Sequence, residues 1–409
     1  MSEVIIVGAG LAGLTCARRL RESGVDAIIL EAGDAVGGRV RTDEVDGFLI
    51  DRGFQVLLTA YPESQRWLDY DALDLCTFHP GASVWVDGKW NRVADPRRRW
   101  TDLWTSLVTN IGTIGDKLKV LKWALEANLG GPVDIFAGDE ETSLERLRRR
   151  GFSEKMIECF WRPWLSGIFL EPNLKTSSRM LEFVFEMFAR GETAVPRHGM
   201  KAIPEQLAAG LNPGQIKLRT EVSRWEQGRI WDTNGTVYEA DQIVLAVDAS
   251  SLAGLFKTNP EASWNSAQAL YFAAPKAPVG SGLLMLNGSQ QGVINHLSVL
   301  SGVNPTYAPK GQQLIMAGIR PGVELAVNEL EREARSQLAG WFGHETADWR
   351  LLKHSMIKQA LPARLSLTDF DPKPLAMGLW NCGDYTSTPS IQGAMESGRM
   401  VAEAILSGR

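Results

Sequence analysis

"VIIVGAGLAGLTCARRL", residues 4–20, governs how the rest of the chain is read. Val4 to Val7 is a short, β-branched apolar run, and after Gly10 the apolar spacing turns helical through Leu11, Leu14, Ala17 and Leu20. The stretch therefore predicts a strand, a tight turn and a helix. Gly24 ends the helix and "VDAIILEA" supplies a second buried-type strand, closing a βαβ unit of about 30 residues. In such a unit Gly8 allows the turn, Gly10 lets the backbone approach a pyrophosphate, and Gly13 lets the helix pack against the sheet. The intervening Ala9, Leu11 and Ala12 complete the turn at the positive end of the helix, where N–H groups point at bound phosphates. Glu31 with Ala32 ends the second strand, at the position where a carboxylate accepts from ribose hydroxyls. A Glu solvated at a strand end is the bland alternative. The "GGRVRT" turn adds Gly37, Gly38 and Arg39, a second close backbone approach with a guanidinium for phosphate. The opening loop by itself leaves several dinucleotides open.

The chain has 409 residues, 44% of them hydrophobic, enough for a sizeable core and two domains. Its net charge of -5, with both signs dispersed, gives no footprint for nucleic acid. Cys16, Cys76, Cys159 and Cys382 form no CxxC pair and the five histidines show no ligand spacing, so no metal site is expected. Met1-Ser2-Glu3 leads straight into a strand, without a signal-peptide pattern, and no apolar run reaches the roughly 18 residues of a spanning helix. A cytoplasmic location is the expectation.

From about residue 71 to 190 the texture is helical and aromatic-rich. Strands return in "IKLRTEVSRWEQGRIWDTNGTVYEADQIVLAV", with a hairpin signal at Thr233-Asn234-Gly235, and again in "SGLLMLNG", "GVINHLSVL" and "GQQLIMAGI". "ELAVNELEREARSQLAGWF" reads as an amphipathic helix, "LAMGLWNCGDY" as a strand, and Ile391 to Leu406 as the last helix. The textures alternate more than once, so the domains are expected to interleave.

The N-terminal loop, Glu31 and the GGR turn resemble the signature of the flavin-containing amine oxidase, protoporphyrinogen oxidase and phytoene desaturase superfamily. The resemblance runs nearly end to end. "DRGFQ", residues 51–55, is similar to the segment that family members place beside the isoalloxazine ring, which implicates Gly53, Phe54 and Gln55. "PRHGMKAIPEQLAAGL" is similar to a mid-chain family stretch, with His198 where a second glycine is common, and the next strand offers the backbone of Val222 to adenine. "NCGDYTSTPSIQGAMESGRMVAEAI" is the most specific match. It implies that Gly383 and Asp384 meet the ribityl chain, and that Ile391, Gln392 and Ala394 open a helix aimed at the flavin pyrimidine. Motifs at both ends of the chain make the implied cofactor FAD, and Cys382, within an apolar strand, makes it non-covalent.

The expected architecture is α/β within an α+β whole. A Rossmann-like FAD-binding domain (1–70, 195–260 and 355–409) interleaves with a mixed helical and β-sheet substrate domain (71–194 and 261–354). The implied activity is an FAD-dependent oxidoreductase that takes a hydride from an organic substrate. The likeness of "NHLSVLSGVNPTYAPKGQQLIMAGI" to carotenoid desaturases favours a small, apolar, isoprenoid-like molecule. Amine or porphyrinogen oxidation is the second reading, and isoprenoid binding or isomerisation without net redox turnover the third. Amine oxidases often place a lysine near the flavin N5, and by region Lys276 and Lys358 are the catalytic candidates.

Apolar residues recur at 100, 104, 107, 111, 114, 118, 121 and 125, one helical face preceded by Arg97, Arg98 and Arg99 and carrying Trp100, Trp104 and Trp123. Asp116 would cap a second helix within it. The segment 97–125 suits either a peripheral membrane contact or inward packing. "FWRPWLSGIF", residues 160–169, suits either an apolar tunnel or core.

Overall fold

The structure is a computed structural model that describes residues 4–94, 109–129, 136, 139–226, 228–256, 263–278 and 282–408. Val4–Val7 is buried along its length and forms the centre of a five-stranded parallel sheet, as its unbroken apolar run requires. The order across the sheet is Ile216–Lys217, Ala27–Leu30, Val4–Val7, Gln242–Leu245, Leu379–Asn381. Ile5 registers with Ile28 on one side and Ile243 on the other. The chain leaves the central strand to one side and returns on the other. A crevice therefore opens at the carboxyl ends of the strands, beyond Val7.

Two helices, Leu11–Glu22 and Ile391–Leu406, cover one face of this sheet. They touch at backbone distance: a Cβ built on Gly398 would lie 2.1 Å from the Ala12 carbonyl oxygen. The first and last helices of the chain are thus packed as one layer.

The second large sheet has seven strands in the order Arg350–Pro362, Trp264–Ala274, Gln313–Ile319, Ile294–Val299, Leu284–Leu286, Gly81–Val86, Lys89–Ala94. Its last two strands correct the expectation of an all-helical stretch from 71 to 190. The signal was present: "GASVWV" alternates buried and less buried positions, and Asp87-Gly88 makes a two-residue hairpin turn with both φ positive, at 54° and 73°. The two longest strands, Trp264–Ala274 and Arg350–Pro362, pair antiparallel and were not read from the sequence. Bulges interrupt their ladder and blur the two-residue period. Arg350–Pro362 crosses position 355, where a domain boundary was expected, and stays paired on both sides of it.

The helix Ile114–Leu129 holds the second half of the amphipathic segment; residues 97–108, with the arginines, Trp100 and Trp104, lie outside the described residues. Its cap is corrected from Asp116 to Thr113. The Thr113 hydroxyl accepts from the Asp116 N–H at 3.1 Å, and Asp116 Oδ2 accepts from the Thr113 N–H at 2.7 Å, a reciprocal cap.

Asp51 ties the segment before Phe54 to the body of the protein. It is 3% exposed, and its carboxylate accepts from the Thr42 hydroxyl (2.5 Å), the Tyr307 hydroxyl (2.6 Å) and the Met200 N–H (3.0 Å). The Tyr271 hydroxyl donates to its carbonyl at 2.8 Å. Burial outweighs the three donors and pushes its pKa up to about 6. The native state therefore binds this proton more tightly than the unfolded chain, whose aspartates titrate near ~3.9. Asp51's contribution is complete below about pH 4 and is lost as pH rises through about 6, at most about 3 kcal/mol. In Asp51→Asn, which cannot ionise, this loss should vanish. Denaturant midpoints of both proteins between pH 4 and 7 test it: a gap between them that does not change with pH would refute the assignment.

Candidate functional site

A cavity of about 1320 Å³ opens at the crevice beyond Val7 and runs between the parallel sheet, the seven-stranded sheet and the helices 114–129, 162–169 and 178–190. It exceeds the roughly 300–1,000 Å³ of an ordinary small-molecule site, as a space for a cofactor and a substrate together must.

The glycine loop forms one end. Gly8 has φ +103°, and a Cβ there would stand 2.5 Å from the Ala246 carbonyl oxygen, so only glycine fits. At Gly13 a Cβ would lie 2.1 Å from the Gly8 oxygen. Gly10 differs: beyond its chain neighbours a Cβ there would meet nothing among the described residues within 4 Å, although Gly10 lines the cavity. No packing among the described residues demands glycine at that position, which is what a cradle for a phosphate looks like.

Leu11, Ala12, Glu31, Ala32, Gly37 and Gly38 line the same end. Ala9 and Gly13 stand behind the wall. The Ala9 N–H donates to Glu31 Oε2 at 2.6 Å and the Gly33 N–H to Oε1 at 2.7 Å, so backbone donors on both sides orient this carboxylate. Val222 lines the cavity with Thr220 and Glu221.

The two ends of the sequence meet here. Arg39 Nη2 donates to Asp384 Oδ1 at 2.5 Å, and Nη1 to the Ala360 carbonyl at 2.9 Å. Arg39 therefore binds the C-terminal motif rather than standing free for a phosphate. Gln55 Nε2 donates to the carbonyls of Arg39 and Arg52, both at 2.8 Å, while its Oε1 is buried without a partner among the described residues. An acceptor orphaned on the cavity wall fits a ligand that carries an N–H. Gly53, Phe54, Gly383, Ile391 and Ala394 also line the cavity.

Three expectations change. Gln392 is not on the wall; its Oε1 accepts from the Glu63 N–H at 2.8 Å, fastening the last helix to the helix Pro62–Trp67. The other two are Lys276 and Lys358, which the fold does not bring to the cavity. Lys358 is exposed on a strand whose preceding residue, Ile357, faces in, because neighbours on a strand point to opposite sides. Lys276 is exposed beyond the end of its strand. Cys382 is fully buried away from the wall and its thiol is pushed up to about 12 by burial.

The far end is apolar. Phe160, Trp161, Pro163, Trp164 and Ile168 line it, while Leu165 and Phe169 of the same stretch are core. A π-helical turn at Ile157–Trp161 sets this face, a distortion frequent at functional sites. Leu118, Leu121, Val184, Phe185 and Phe188 complete the wall.

His296 was missed. It is buried in the strand Ile294–Val299, lines the cavity, and lies with its ring centroid 5.2 Å from that of Phe54. Every residue of that strand is buried, so no alternation singled it out.

The family model described as flavin containing amine oxidoreductase matches residues 11–406. The chain is 24% identical over 465 residues to a 15-cis-phytoene desaturase of an Oncidium hybrid cultivar, covering 99% of this chain and 78% of the relative. To polyamine oxidase 2 of Arabidopsis thaliana it is 42% identical over 268 residues, 63% of this chain and 54% of that one. Its fold is similar to that of an oxidoreductase from Methanosarcina mazei, with TM-score 0.75, 17% identity, and 98% and 99% of the two chains covered.

Proposed function

This chain belongs to the family of flavin-containing amine oxidoreductases, and from that premise we propose that it takes a hydride from an apolar, isoprenoid-like substrate, as a carotenoid desaturase does. It is an FAD-dependent oxidoreductase. FAD, when bound, supplies the hydride acceptor. The residues present suit that group. Gly8, Gly10 and the N–H groups at the start of the helix Leu11–Glu22 would receive the pyrophosphate, and Glu31 the adenosine ribose. Asp384 and the N-terminus of the helix Ile391–Leu406 would face the flavin half, and Gln55 Oε1 would accept an N–H from it.

One observation carries the substrate reading. Among the described lining residues from 114 to 189 there are many apolar side chains and one cation, Lys117, but no carboxylate. An ammonium substrate would be desolvated there without a partner, which costs several kcal/mol or more. An apolar chain has no charge to desolvate there.

The 42% identity to a polyamine oxidase favours amine oxidation as a second reading. The wall of the cavity speaks against it.

The same reading supplies a route of entry. Ile114, Leu118 and Leu125 are exposed on one face of the helix Ile114–Leu129, and Leu118 also lines the cavity. An apolar stripe at the mouth of an apolar cavity suits uptake from the surface of a bilayer. No helix among the described residues is long and apolar enough to cross one.

The test offers the flavin-loaded protein 15-cis-phytoene in liposomes, or putrescine in buffer, without oxygen. Phytoene should bleach the flavin band, with the protein floating with the liposomes, and putrescine should not. Bleaching by putrescine alone would establish the amine reading instead.

A further inference from the structure

His296 is 6% exposed and its hydrogen bonding fixes where its proton sits. Its Nδ1 lies 3.1 Å from Asn295 Nδ2. That same Nδ2 is 2.9 Å from the Pro163 carbonyl oxygen, which can only accept. Asn295 therefore turns an NH2 group towards the imidazole, and Nδ1 must be the acceptor. Burial lowers the pKa of the ring to about 4, so at neutral pH it is uncharged with its one proton on Nε2. Nε2 is buried and has no partner among the described residues.

The ring is held in place. A Cβ on Gly318 would fall 2.2 Å from His296 Cε1, and one on Gly167 3.2 Å from Nδ1, so two glycines leave the imidazole its space while Phe54 packs against it. The indole N–H of Trp161, on the same cavity, is also buried and has no partner among the described residues. Both groups are donors. A buried donor left unpaired costs about 1–3 kcal/mol, so a wall that carries one is matched to a ligand with an acceptor.

We propose that His296 is a specificity residue whose Nε2–H donates to an oxygen on the substrate, so that the cavity takes an oxygenated isoprenoid-like chain, with a carbonyl or hydroxyl group, in preference to a pure hydrocarbon. The inference rests on the isoprenoid reading above and narrows it. An analogue lacking the oxygen would fill the same apolar walls and leave the donor unpaired.

The experiment titrates the flavin-loaded protein with farnesal and with farnesene, an aldehyde and a hydrocarbon of equal carbon count, and follows the perturbation of the flavin spectrum. The wild type should bind farnesal about tenfold or more tightly than farnesene. His296→Phe, which keeps a ring and removes the donor, should bind the two alike, and His296→Gln, which retains an N–H, should restore the preference. Equal affinities in the wild type, or a preference that survives in His296→Phe, would overturn the proposal while leaving the isoprenoid reading intact. Binding of neither compound would overturn both. Loss of the flavin itself from His296→Phe would reassign the donor to the cofactor.

Discussion

Gly10→Val should leave the protein folded and stop it from holding FAD. Gly10 has φ -73° and ψ 177°, extended backbone that valine adopts without strain. Apart from its neighbours along the chain, the new Cβ would meet no atom of the described residues within 4 Å. Gly10 does stand at the N-cap of the helix Leu11–Glu22, without a side-chain bond to lose, so valine there costs about 1 kcal/mol at most. The space it enters is the space the pyrophosphate needs. Flavin retained after reconstitution should fall at least 100-fold, while the melting temperature of the flavin-free protein moves by only a few degrees. Gly8→Val is the contrasting case, since its Cβ would strike the Ala246 carbonyl at 2.5 Å and its φ is +103°. That variant should lose stability before cofactor binding is even at issue. A Gly10→Val protein that binds FAD normally would remove the glycine loop from the cofactor site.

Asp384→Ala should weaken both the fold and the cofactor site. Asp384 is 4% exposed and takes the guanidinium of Arg39 from the far end of the sequence. Breaking a fully buried ion pair from one side costs about 3–5 kcal/mol. The Arg39 side chain is 37% exposed, so water recovers part of that and the expected loss is about 2 kcal/mol. Arg39 keeps the Ala360 carbonyl and gains freedom beside the cavity, which should lower FAD affinity roughly ten- to a hundredfold. Asp384→Asn preserves shape and one acceptor and should fall between the two. Urea midpoints with and without added FAD separate the effects. An unchanged midpoint in Asp384→Ala would show that the pair contributes nothing to holding the chain ends together.

The nucleotide half was legible because its physics is local. Val4 to Val7, the loop glycines and the change of period after Gly10 lie within one βαβ unit, and the last helix was read with both its ends, Ile391 and Leu406, as the structure has them. Of the seven-stranded sheet, the three strands Leu284–Leu286, Ile294–Val299 and Gln313–Ile319 were legible, and the other four were not. Its two longest strands are bulged, which blurs the two-residue alternation by which a strand is read. The Asp87-Gly88 hairpin could have been read, had the surrounding helical texture not been extended across it.

Residue spacing alone fixed the strand, turn and helix of the first βαβ unit and the carboxylate at its second strand end, a cradle suited to a dinucleotide, since these features need only neighbours along the chain. Only the tertiary structure decided that Arg39 turns to Asp384, 345 positions away, that Gln392 holds a helix instead of a cofactor, and that Lys358 faces outward. It also placed His296 against Phe54 on the cavity wall. Those partners come from different strands and helices, and which side chains meet across a cavity depends on sheet order and register. Neither is written in the spacing of residues along one segment.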